Sequence, residues 1–303
     1  MSLSRRLWAY QAERFPLLRT VPLLAVFSAA AVNVSAMLAG RPLPNAGAYL
    51  TAFLLAFVLF FQMRAADEVK DLEDDRRFRP ERPIPRGLVS LRLVVGLAIA
   101  AAPLAALAAW AWHPPLLWLL ALAWAWLALM TAEFLAPSWL KARPVLYLVS
   151  HMAILPLIDL MLTGVEWLPG GGPDPALALF LALSFVNGCV LEIGRKLKAA
   201  GHERAGVETY SALWGRARAA RIWSLCVAVA AALVALNGLS LGIPALAALV
   251  AGVGLAAAAW LARRYARTPT PAAERSLDAA SGLWVLLAYA TLGFLPLATG
   301  GAT

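Results

Sequence analysis

Apolar runs of about twenty residues recur from one end of the chain to the other, and no other feature constrains the fold as strongly. A helix needs about 20 apolar residues to cross the roughly 30 Å hydrocarbon layer of a bilayer. It must be a helix, because every backbone N–H and C=O has to be satisfied within the segment. Such runs lie near 20–39, 46–66, 88–109, 115–134, 144–165, 174–192, 217–238, 243–262 and 278–299. They predict an all-α, polytopic membrane protein with about nine transmembrane helices in a single membrane domain over 1–303. Composition agrees: 62% of residues are hydrophobic and 14% charged, against about 45–50% and about 25% in soluble domains. That balance excludes a disordered chain, a soluble α/β enzyme and a nucleic-acid-binding domain, so no nucleic acid is expected as a partner despite the net charge of +9.

The basic residues orient the helices. With nine spans, Arg41 alone falls on one side and every other Lys and Arg falls on the opposite side. Basic loops stay in the cytoplasm, so the expectation is a cytoplasmic N-terminus, an external C-terminus and a place in a bacterial cytoplasmic (inner) membrane. One span more or fewer would scramble the segregation. The two cysteines, Cys189 and Cys226, lie in apolar runs and read as packing residues.

Charge is concentrated after the second span. Seven of the 17 acids fall between Asp67 and Glu81, and Asp67, Asp71 and Asp75 recur at i, i+4 and i+8. On a helix continuing out of span 2 these carboxylates lie on nearly one face, drifting about 40° per step. Like charges so spaced destabilise a bare helix and call for a cation. Mg²⁺ keeps several waters and takes one or two carboxylates together with phosphate oxygens. The face therefore suits a bridge from carboxylate through Mg²⁺ to a diphosphate. A solvated helix neutralised by Lys70, Arg76, Arg77 and Arg79 is the competing reading.

This stretch, DEVKDLEDDRRFRPERPIPRG, resembles the UbiA family of intramembrane prenyltransferases. That family carries an acidic motif of the form N/D-D-x-x-D-x-x-x-D after its second helix, followed by R-P-x-P-x-G. Asp67, Asp71 and Asp75 fit the first element, and Arg82–Gly87 fits the second. The nine helices and cytoplasmic N-terminus match as well. The resemblance implies a UbiA-like bundle around a central cavity, with the loops at 67–87 and 193–216 forming the mouth. It implies Asp67 and Asp71 as catalytic metal-holding residues, with Asp75 as a further Mg²⁺ ligand. It also implies Arg82 and the pair Lys141 and Arg143, after span 4, as diphosphate contacts. Asn33 in span 1 and Asn187 in span 6 would line the cavity, although Asn33 fits an interhelical hydrogen bond equally well.

The second loop departs from the family pattern, which places D-x-x-x-D after span 6. The chain reads NGCVLEIGRKLKAAGHERAG before a recognisable GVETYSALWG ending at Gly215. Glu192 stands for the first acid and is the expected second-site metal ligand, but Lys196 occupies the place of the second. Either Arg195, Lys196 and Lys198 hold the diphosphate directly, replacing one metal ion, or the chemistry has changed. Glu192 also fits an ion pair with Arg195 or Lys196 on the same turn.

Ionisable groups inside spans are costly and tend to mark function. Asp159 is the deepest, Glu133 lies near the cytoplasmic end of span 4, and His151 lies about two turns into span 5. The resemblance implies Mg²⁺-dependent transfer of an isoprenyl group from its diphosphate to a lipophilic or aromatic acceptor among membrane lipids. An intramembrane terpene cyclase on the same scaffold and a non-catalytic lipid transporter or binding protein are the alternatives.

Overall fold

The long helices begin where the sequence supplies starts. Ser2 and Asn45 accept hydrogen bonds from the backbone N–H groups of Arg5 and Gly47, and Ser90 accepts one from Leu93. Pro144, Pro244 and Pro271 open three others, at a position where the missing N–H costs nothing. In this computed structural model residues 1–204 and 206–299 are described. Ala205 of the second loop and residues 300–303 lie outside the described residues.

In chain order the helices are α1 (Leu3–Arg14), α2 (Leu17–Leu38), α3 (Ala46–Lys70), α4 (Leu72–Phe78), α5 (Leu91–Trp112), α6 (Leu116–Thr131), α7 (Pro137–Lys141), α8 (Pro144–Met152), α9 (Ile154–Gly170), α10 (Leu177–Arg195), α11 (Tyr210–Trp214), α12 (Arg216–Ser240), α13 (Pro244–Arg267) and α14 (Pro271–Thr299). There is no strand among the described residues. Eight segments are long and apolar enough to cross a membrane, counting α8 and α9 together as one, and α6 is a ninth, shorter apolar helix of 16 residues. The molecule is an integral membrane protein built as an all-helical bundle.

Two interruptions have local causes. Pro156 can neither donate to the carbonyl of Met152 nor avoid clashing with it, and the helix breaks there into α8 and α9. At about 1.5 Å per residue, α6 is only about 24 Å long. It stops in a turn where Glu133, Phe134 and Leu135 have φ of 49°, 52° and 59°. Such a left-handed run costs roughly 1–2 kcal/mol per non-glycine residue. The last span also differs from expectation: α14 starts at Pro271 rather than near 278, extending two turns further and adding Glu274 to the bundle end.

The helix α10 is the most buried of the spans and packs on α8, α9, α12 and α14. Two glycines permit this. A Cβ on Gly188 would lie 2.7 Å from Leu155 of α9, and one on Gly194 would lie 2.0 Å from the Ser281 hydroxyl of α14. Small residues bring helix backbones together in this way where no hydrophobic gain separates protein from lipid. The short helix α1 lies across the end of the bundle, tied down by Arg14–Glu68 at 2.5 Å and Glu13–Arg86 at 2.6 Å.

Candidate active site at the mouth of the bundle

The end of α3 supplies the first acids. Its helical hydrogen bonding continues through Asp71, which caps α3 and opens α4: Asp71 N–H donates to Asp67 and Asp75 N–H to Asp71. The three aspartates therefore keep the expected spacing but not one environment. Asp67 and Asp71 have side chains 40% and 42% exposed, with Arg64, Arg82 and Arg79 no nearer than 3.4, 3.8 and 3.9 Å. Asp75 is buried. Both of its oxygens accept from Arg82, at 2.8 and 2.6 Å, and Arg79 lies 2.8 Å away. At 100° per residue, Asp75 is rotated about 80° from Asp67, which turns it toward Arg79 and Arg82. Glu68, one residue from Asp67, also faces inward and pairs with Arg14.

The end of α10 supplies the opposing group. Glu192 is buried and held by Arg195 at 2.5 Å and Lys196 at 3.0 Å, so it is engaged by bases of its own turn. The Arg195 side chain is half exposed and lies within electrostatic reach of both Asp67 and Asp71. The Lys196 ammonium sits over the Tyr210 ring, and burial pushes the Tyr210 hydroxyl above its ordinary value. The two loops are clasped to each other. Arg204 donates to Glu81 at 2.8 Å and to the Phe78 carbonyl at 3.2 Å, and Gly206, with φ +79°, lies where any side chain would strike the Phe78 ring. The Arg204 hydrogen bond holds the Glu81 carboxyl below its ordinary value. Burial and then the adjacent Arg82 pull Arg79 below the usual arginine value, so an anion arriving among these bases would relieve their crowding.

The rest of the second loop is a scaffold. Glu274 of α14 receives Lys198 at 2.9 Å, the Ala199 N–H at 2.9 Å and His202 at 2.7 Å. Glu203 accepts from Thr209 and Ser211, both at 2.6 Å.

The structure thus brings Asp67, Asp71 and Arg195 within electrostatic reach of one another, while Asp75 and Glu192 are clamped by arginine and lysine. The four carboxylates expected as ligands do not form one cluster. Among the described residues no group of three or more His, Cys, Asp or Glu could hold a metal ion unaided. Asp67 and Asp71 nonetheless fit Mg²⁺, which takes one or two carboxylates and completes its shell with water and phosphate oxygens. Arg82 and Lys198 are occupied by Asp75 and Glu274. Arg143 stacks on Trp139, and Lys141 is exposed with no ion pair among the described residues. Asn33 donates to the Gly293 carbonyl and accepts from Tyr49, tying α2 to α14 and α3; the interhelical reading describes it. Asn187 accepts from Trp284, and its amide nitrogen has no partner. Asp159 is buried against Tyr289. Arg41, the lone base at the other end, is neutralised by Glu166 at 2.6 Å.

Sequence reasoning missed one grouping next to Asp71. Lys70 meets Glu133, Tyr147 and His151 there. The pairings span 63 to 81 residues, and no local spacing announces them.

The model of the UbiA prenyltransferase family matches residues 24–282. A solved structure reported for digeranylgeranylglyceryl phosphate synthase in membranes superposes with a TM-score of 0.62 at 15% identity, covering 94% of this chain and 97% of that one. At that identity the likeness is one of fold. Among curated proteins there is no sequence match.

Proposed function

The chain belongs to the UbiA prenyltransferase family, and we propose that it transfers an isoprenyl group from an isoprenyl diphosphate to a lipophilic or aromatic acceptor within the membrane. The observation that supports this is that Asp67 and Asp71, at the end of α3, lie within electrostatic reach of Arg195, at the end of α10, where the apolar bundle ends. An apolar tail lies among the helices and its diphosphate head lies at the loops. Mg²⁺ held by Asp67 and Asp71 would offset charge on the diphosphate as the allylic C–O bond breaks.

The bases of this chain do the rest of the binding. Arg195 offers a planar fork to phosphate oxygens, and Lys196 a point charge. Arg79 and Arg82 add positive potential behind them. With Glu192 clamped, the positions that would form a second carboxylate cage supply cations instead, and so one metal ion suffices in this reading. The helices keep water from the allylic centre until the acceptor attacks. Orientation with the N-terminus in the cytoplasm follows from the basic end of the bundle; a cysteine introduced at Ser2 should be labelled only from the cytoplasmic side.

The direct test incubates the purified chain with labelled C10–C20 prenyl diphosphates, Mg²⁺ and a native lipid extract. Labelled prenylated lipid with release of diphosphate is expected. A cyclised hydrocarbon formed without acceptor would replace this reading by a terpene cyclase, and lipid movement without diphosphate release would replace it by a transporter.

A further inference from the structure

Prenyl transfer to a hydroxyl or an aromatic ring has a second product besides diphosphate: the acceptor loses a proton. In the proposed function Asp67 and Asp71 are committed to Mg²⁺ and the diphosphate, and the neighbouring bases are cations, so neither set takes it. The side chains around Lys70 are arranged differently.

The Lys70 ammonium has three N–H donors and three partners: His151 Nε2 at 2.9 Å, Tyr147 Oη at 3.1 Å and Glu133 Oε1 at 3.1 Å. The His151 Nδ1 lies 2.9 Å from the Tyr147 carbonyl, so Nδ1 bears the proton and Nε2 is the acceptor for Lys70. Tyr147 accepts from Lys70 and donates its own proton to Glu133 Oε1 at 3.2 Å. Lys70 is thus engaged by two hydrogen bonds and an ion pair within this set. One acceptor remains. Glu133 Oε2 is buried and receives no hydrogen bond from the protein. His151 Nε2, 3.9 Å away, is already turned to Lys70.

Two further observations bear on Glu133. It opens the left-handed turn of Glu133, Phe134 and Leu135, and backbone strain of this kind persists where the surroundings over-determine it and gathers at functional sites. Glu133 pairs with Lys70, the residue before Asp71, which places the carboxylate beside the acids at the end of α3. Lys70 of α3 and Tyr147 and His151 of α8 are the titratable and charged groups in contact with it.

We propose that Glu133 is the catalytic base for the acceptor, with Oε2 taking its proton and with Lys70, Tyr147 and His151 as positioning residues. The inference rests on the prenyl-transfer reading and extends it. In the step, a bond forms between the allylic carbon and the acceptor atom. The C–O bond to diphosphate breaks and its electron pair leaves with the diphosphate. The acceptor's proton passes to Glu133 Oε2 and then to solvent at the mouth. An oxonium or arenium centre formed by attack on an allylic cation is a strong acid, so a carboxylate receives its proton downhill.

The test uses the full chain in detergent with a labelled C20 diphosphate, Mg²⁺ and a native lipid extract, and measures prenylated lipid and released diphosphate separately. Glu133→Gln keeps an oxygen for Lys70 and Tyr147 but replaces the proton acceptor by an amide. It should lower prenylated lipid per diphosphate released by about 100-fold, within the usual range for loss of a general base, with prenyl alcohol making up the difference. Glu133→Asp, which retains a carboxylate, should recover part of the ratio; a folding defect would lower both readouts together and leave the ratio unmoved. An unchanged ratio in Glu133→Gln, whatever its total turnover, overturns the assignment while leaving prenyl transfer standing. Absence of diphosphate release from the unsubstituted chain overturns both.

Discussion

At the scale of the residue, the three aspartates of one motif divide into two kinds. Asp67 and Asp71 are half exposed with loose partners, whereas Asp75 is enclosed between Arg79 and Arg82. The residue spacing was legible in the sequence and the division was not, because it depends on 80° of accumulated rotation and on where the loop returns its arginines. The consequence is measurable. Removing one member of a buried ion pair leaves the other uncompensated, which costs about 3–5 kcal/mol; the arginines here are about one-fifth exposed, so the lower end applies. Asp75→Asn should therefore lower the thermal unfolding midpoint clearly in detergent. An unaltered midpoint would mean that the arginine clamp contributes nothing to the loop. Glu192 teaches the same lesson: its neighbours Arg195 and Lys196 were visible at i+3 and i+4, and both close on it.

At the scale of the element, spans were read from apolar length with errors at their ends. The start of α14 was missed because Glu274, Arg275 and Asp278 look like loop, yet Glu274 is satisfied by the second loop's Lys198, His202 and Ala199. The end of α6 was equally hidden, since its left-handed turn contains no glycine, the residue that normally signals such backbone. Leu135 is 82% exposed at φ 59°, so Leu135→Gly should remove strain without losing internal packing. It is expected to raise stability by about 1 kcal/mol, read as a higher unfolding midpoint; a lower midpoint would contradict the turn's geometry. The clasp between the loops has its own signature. Arg204 holds the exposed Glu81 carboxyl below its ordinary value of 4.5, so its contribution is fully present above that value and lost as pH falls through the lowered one. Protease sensitivity of the loops should rise on acidification in the unsubstituted chain and be insensitive to that step in Glu81→Gln. Equal responses would remove the clasp from the account.

At the scale of the whole molecule, the fold was legible because lipid leaves the backbone so few choices. Eight of the nine apolar runs lie in segments long and apolar enough to cross a membrane, one of them broken into α8 and α9, and the remaining run is the 16-residue α6. The Lys70 network was not legible, because it joins α3, the turn after α6, and α8 through contacts no local pattern records. The central claim is that the two acidic positions at the end of α3 activate a diphosphate held by Arg195. Its most direct measurement is the rate of diphosphate release from a labelled prenyl diphosphate by the purified chain and by its Asp67→Asn and Asp71→Asn variants, at saturating Mg²⁺. The account predicts a loss of at least about 100-fold in each variant, roughly 3 kcal/mol of barrier, with the unfolding midpoint retained. Rates equal to the unsubstituted chain in both would contradict it.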